Sequence, residues 1–148
     1  MRSLRVLCGL ALGLAACGIE PDVGKPLAGA CDNADTDEAM VVSFRGEIRP
    51  LIARSRSGCS CHLPSSTGPG PGTRLGGLDL SSLSSLRAGG FNSAASIVVP
   101  AQPCDSVLYQ KLYEAPPFGS RMPLGGPYWS DEELALLHDW IAEGAADN

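Results

Sequence analysis

Arg54-Ser55-Arg56-Ser57-Gly58-Cys59-Ser60-Cys61-His62 decides how this chain is read. Two thiols stand one residue apart, and an imidazole directly follows the second. These side chains hold soft metals, bond prosthetic groups or, as cysteine pairs, form disulfides. The residue three positions before Cys61 is Gly58, so the upstream cysteine lies at 59. One intervening residue instead of two rotates Cys59 by one helical step, roughly 100°, away from where a cysteine at 58 would point.

Upstream, the sequence predicts a helix over about Asp37 to Arg54. Phe44, Ile48, Leu51 and Ile52 form its apolar stripe, and Pro50 is expected to kink or split it. Downstream, Leu63 to Gly77 reads as a loop rich in proline, glycine and serine. Leu78-Asp79-Leu80 follows, then a short helical stretch near Ser82 to Ala88 that ends at Gly89-Gly90. Ile97-Val98-Val99-Pro100 is a brief extended run, and a further helix is predicted from about Asp105 to Tyr113, ended by Pro116-Pro117. Arg121-Met122-Pro123 sits in a Gly/Pro-rich loop before Tyr128 and Trp129. The last helix is announced by a capping box, Ser130 to Glu133. It presents Leu134, Leu137, His138 and Ile141 on one face, and Gly144 stops it. The fold class is therefore mostly α, a small helical domain with long Gly/Pro-rich loops and no internal repeat.

The 148 residues divide into three parts. Residues 1–16 read as a signal peptide: Arg2 and Arg5 precede an apolar run, Val6 to Leu14, that is too short to span a bilayer. Leu14-Ala15-Ala16-Cys17 resembles a bacterial lipobox, which implies cleavage before Cys17 and lipidation of its sulfur. Several acyl chains on one residue anchor stably where one is marginal. Residues 17–36 read as a tether and residues 37–148 as the domain. Of 11 basic residues, removing Arg2 and Arg5 leaves 9 against 16 acidic ones, a net charge of −7. That balance argues against nucleic acid, whose phosphates demand basic patches, and suits a basic protein partner. So small and aromatic-poor a chain gains from a buried cofactor or from disulfides. With Cys8 in the signal and Cys17 lipidated, Cys31, Cys59, Cys61 and Cys104 remain. They allow two disulfides in three connectivities, or one disulfide beside thiols bonded to a prosthetic group.

Cys59-Ser60-Cys61-His62 is one residue short of Cys-x-x-Cys-His, the sequence that attaches haem covalently. The order of helix, cysteine–histidine turn, loops, Met-Pro and C-terminal amphipathic helix resembles a class I cytochrome c. It is most similar to the small cytochrome c domains of planctomycete and myxobacterial surface proteins. The residues carrying the likeness are Arg49-Pro50-Leu51, Gly76-Gly77-Leu78-Asp79-Leu80, Val99-Pro100, Ser106-Val107-Leu108-Tyr109, Met122-Pro123 and Trp140-Ile141-Ala142-Glu143-Gly144-Ala145. The resemblance implies a single haem c with His62 as proximal iron ligand and Met122 as distal ligand. It further implies a thioether at Cys61, whereas Cys59 has no clean equivalent. A single thioether through Cys61 is expected, with Cys59 free to pair with Cys31 or Cys104. The implied role is one-electron transfer in the cell envelope, on a lipid-anchored protein facing the periplasm or cell surface, with an unidentified redox partner.

Other readings stand beside this one. In a haemless scaffold, Cys59 and Cys61 would pair with Cys31 and Cys104. Cys59, Cys61, His62 and Cys104 have the identities of a zinc set, and Cys, His and Met those of a copper set. His138 reads as a packed, hydrogen-bonded histidine and only in reserve as a ligand. Cys31 and Cys104 read most simply as a structural disulfide. Arg74 and Arg121 are candidates for neutralising haem propionates. No nucleophile elbow, phosphate loop or acid/base pair is present, so no enzyme is expected beyond peroxidase-like haem chemistry if Met122 does not ligate. Asp79, Asp131, Glu132 and Glu133 are assigned to turns and capping.

Overall fold

The computed structural model describes residues 31–113 and 116–148. The stretch read as a signal peptide, Cys17 and most of the expected tether lie outside these residues. The described chain is helical, without named strands; one isolated bridge joins Ser65 and Gly68. Among the described residues, no helix is long and apolar enough to cross a membrane.

The first helix begins at Phe44, seven residues later than the sequence predicts. Ser43 caps it by accepting from the Gly46 amide, and the Glu47 carboxylate accepts from the Ser43 amide at 2.6 Å. Its first turn, Phe44–Ile48, is a wide π turn that runs into α1, Arg49–Ala53. Pro50 explains the widening. Its ring would collide with the carbonyl four residues back in a regular α-helix, and it has no amide to donate. The Arg49 amide instead reaches Phe44 O. Pro50 therefore neither breaks nor splits the element.

Helix α2, Pro71–Gly76, lies inside the stretch expected to be loop. Pro71 starts it without wasting an amide, and Gly77, at φ 72°, closes it by donating to Thr73 O. Helix α3, Leu83–Ala88, is capped by Ser82 and Ser85. Ala94–Ile97 is a 3₁₀ turn, so the expected extended run is confined to the residues after it. Another 3₁₀ turn, Pro103–Asp105, leads into α4, Val107–Leu112. Helix α5, Asp131–Ala142, carries the predicted capping box: Glu133 N donates to Ser130 Oγ, and Ser130 N to Glu133 Oε2. Gly144, at φ 100°, and Ala145 donate back to Ile141 O and Trp140 O.

The core lies between α1 and α5 and under α3 and α4. Phe44 packs on Trp140 with ring centroids 5.2 Å apart, and Ile48, Ile52, Leu86, Leu112, Leu137 and Ile141 are fully buried. Each such side chain stabilises the fold by about 1.5–3 kcal/mol. Arg54 pairs with Glu133, linking the end of α1 to the cap of α5. The segment from Cys31 to Thr36, read as the tether's end, is fastened to the domain. Cys31 is disulfide-bonded to Cys104, the Cys104 amide donates to Asn33 Oδ1, and Thr36 donates through its amide and hydroxyl to Asp139.

Candidate functional site

The cysteine–histidine turn is built from backbone contacts that only small residues permit. Cys59 N donates to Ile52 O at 2.8 Å, folding the turn back onto α1. A Cβ at Gly58 would lie 2.4 Å from Arg54 O and 2.6 Å from Ile52 O. No cysteine can therefore stand at 58 without moving backbone. The short spacing of the two thiols belongs to the way this turn packs.

Ser60–His62 forms a single 3₁₀ turn. His62 is fixed from two sides: Leu80 N donates to its carbonyl at 3.0 Å, and its Nδ1 lies 3.0 Å from Leu78 O. A carbonyl only accepts, so Nδ1 carries a proton, and in the neutral ring the lone pair falls to Nε2. The ring lies over Gly72, where a Cβ would come within 2.8 Å of Nε2. Helix α2, missed by the sequence reading, thus provides the floor of the imidazole.

Two cavities flank this ring. The inner one, of about 140 Å³, is walled by Leu78, Leu80, Ile97, Leu108, Leu112 and Phe118 and includes Cys59. The outer one, of about 470 Å³, includes Cys61, Arg56, Pro71, Leu75 and Leu124. His62, Gly76 and Met122 line both. Met122 reaches this position because its amide donates to Lys111 O at 2.7 Å, holding its loop against the end of α4. The structure therefore brings together the imidazole and the thioether that the sequence singles out sixty residues apart.

The two thiols part company at this point. Cys59 is buried, and burial, with the neighbouring Cys61 adding to it, pushes its thiol up to about 12. Cys61 is half-buried and burial raises it as well, against hydrogen bonds from backbone amides. Both are free thiols. Cys31 and Cys104 form the disulfide, so the pairing of Cys59 with either of them does not occur, nor does the two-disulfide arrangement. With Cys104 so engaged, the zinc set of Cys59, Cys61, His62 and Cys104 does not assemble.

Neither arginine proposed for propionates lines either of these two cavities. Arg121 donates to Leu112 O and stacks over Tyr128 at 4.1 Å, and Arg74 donates to Pro69 O. Lys111 lines the inner cavity and Arg56 the outer one. Lys111 Nζ donates to Phe118 O and Ser120 O, 2.6 Å each, and burial pushes its pKa down. Neither cation is marked by the sequence, because which one reaches a cavity depends on how α4 and the turn before Cys59 pack. His138 is buried and hydrogen-bonded, away from both cavities. Asp79 accepts from the Ser81 amide in a turn, as its sequence context suggests.

Comparison with protein-family models, with curated proteins and with solved structures finds no match for this chain.

Proposed function

We propose that the protein is a lipid-anchored, c-type cytochrome-like electron carrier of the bacterial cell envelope, holding one haem between His62 and Met122. The observation that carries the reading is that these two side chains, and no second histidine, line both cavities. The donor set suits the group. His62 offers a lone pair at Nε2 with its other nitrogen fixed by Leu78 O, an arrangement that orients a metal-binding imidazole and raises its basicity. Met122 offers a thioether, a soft ligand that favours reduced iron. The walls between them are apolar, which excludes water. Cys61 faces the outer cavity, where a covalent attachment can be made, while Cys59 faces the inner one.

When bound, the haem supplies a one-electron redox couple. The chain's own contribution would be to hold the His62 and Met122 side chains through Leu78, Leu80, Gly72 and Lys111 O, leaving little to reorganise when the charge changes. Lys111 and Arg56 place positive charge at the two cavities, where acidic propionates would be neutralised. The exposed Leu75 and Leu124 at the outer cavity leave one edge of the site near the surface, open to a redox partner. Lipid on Cys17 would hold the domain at the membrane.

Met122→Ala tests the ligand assignment. Loss of the thioether is expected to lower the midpoint potential and change the spin state, read by spectroelectrochemistry. An unchanged potential and spin state would remove Met122 from the site. His62→Ala is expected to abolish both colour and redox activity.

A further inference from the structure

The Cys31–Cys104 disulfide does not sit in an inert setting. A ring nitrogen of His138 and both sulfurs lie within 4.8 Å of one another. The ring is buried, with Tyr109 packed edge-on at 5.5 Å. Its Nδ1 lies 3.1 Å from Asp139 Oδ1 and its Nε2 2.6 Å from Asp32 O. Both partners only accept, so both contacts are satisfied only when each nitrogen carries a proton, which is the imidazolium. Asp139 supplies the opposite charge. Burial works against its ionisation, but the Thr36 amide, the Thr36 hydroxyl and His138 outweigh it and hold the carboxyl below the usual aspartate value.

The two sulfurs also differ in access. Cys31 is half-buried and lines a surface pocket with Thr36, Tyr109, Tyr113 and His138, whereas Cys104 is buried and does not line that pocket. Three hydrogen bonds from Thr36 to Asp139, and one from the Cys104 amide to Asn33, hold this segment in place independently of the S–S bond.

We propose that Cys31–Cys104 is a thiol–disulfide exchange site, reduced by a dithiol partner, with Cys31 as the attacked sulfur and His138 as the group that receives the charge on Cys104. One thiolate of the partner bonds to Cys31 Sγ. The S–S bond breaks and its electron pair goes to Cys104 Sγ; this thiolate stands beside the His138 ring and is then protonated from solvent. The partner's second thiolate then bonds to its first sulfur, and the electron pair of the mixed disulfide goes to Cys31 Sγ, which is protonated from solvent. The partner dithiol is oxidised to a disulfide, and Cys31 and Cys104 are reduced to two thiols. A leaving sulfur stabilised as thiolate leaves faster, which is what the imidazolium provides. The site is independent of the haem reading.

The test uses the full chain with its disulfide intact and dithiothreitol as the dithiol, followed by alkylation and peptide mass mapping. The reduction rate is expected to rise in proportion to dithiol concentration and to exceed the global unfolding rate in the same buffer. A monothiol trap is expected to place the mixed disulfide on Cys31 and leave Cys104 alkylated. His138→Gln is expected to slow reduction about tenfold and to shift the exchange equilibrium about tenfold toward the disulfide, about 30 mV for this two-electron couple. A rate that saturates at the unfolding rate, a trap on Cys104, or unchanged exchange in a folded His138→Gln protein would overturn the proposal. If that variant does not fold, the wild-type rate law and the trapped sulfur decide alone.

Discussion

At the scale of single residues, the site rests on a few atoms whose neighbours allow little change. Gly58→Cys would restore the two-residue spacing, yet its Cβ would meet two backbone carbonyls at 2.4 and 2.6 Å. The variant is expected to lose about 1–3 kcal/mol in thermal unfolding, with no gain in bound haem per protein. Thr36→Val removes the hydroxyl that donates to Asp139 at 2.7–2.8 Å and is expected to lose about 1–3 kcal/mol in urea unfolding at pH 7. The pH dependence has a definite sign. Asp139 is held below its ordinary value of 3.8 in the folded protein, so its contribution is full above that value and fades as pH falls through the lowered one. The difference between wild type and Thr36→Val is therefore expected to shrink toward pH 3. His62 and Met122 were legible in the sequence because a histidine directly after a cysteine, and a Met-Pro in a late loop, are local signals. Lys111 and Arg56 were not, since which cation reaches a cavity depends on how α4 and the turn at Arg54–Cys59 pack, and sequence spacing holds no record of that.

At the scale of elements, local chemistry was most legible where it acts alone. The capping box of α5 stands as written in the sequence, and Ser130→Ala is expected to lower stability by about 1 kcal/mol, read as a reduced melting temperature. The Pro50 position was visible too, but its consequence was not: a π turn absorbs the proline where a kink or split was expected. Helix α2 was hidden by its composition. Pro71-Gly72-Thr73-Arg74-Leu75-Gly76 has weak helix formers, and it is held by a terminal proline, a closing glycine and the imidazole stacked on Gly72. Tertiary contact overrides propensity there, and the helix it stabilises is the one that seats His62.

At the scale of the whole molecule, a small domain of few aromatic residues is held by a core across α1, α3, α4 and α5 and by the disulfide that ties Cys31 to Cys104 over 73 residues. Replacing both cysteines by serine is expected to cost about 2–4 kcal/mol, read by denaturant unfolding. The sequence left the connectivity of four cysteines open, because pairing is decided by which sulfurs the fold brings together. The mostly helical class was legible throughout, since it follows from apolar periodicity and caps. The proposed haem sits between His62 and Met122, attached through Cys61. This placement is tested most directly by expressing the full chain with its own signal in a host carrying cytochrome c maturation genes. A haem stain on a denaturing gel, an intact mass and a pyridine haemochrome spectrum are then taken from the same sample. A stained band, the added mass of one haem and the spectrum of a single thioether are expected. A colourless band without added haem mass would contradict this placement.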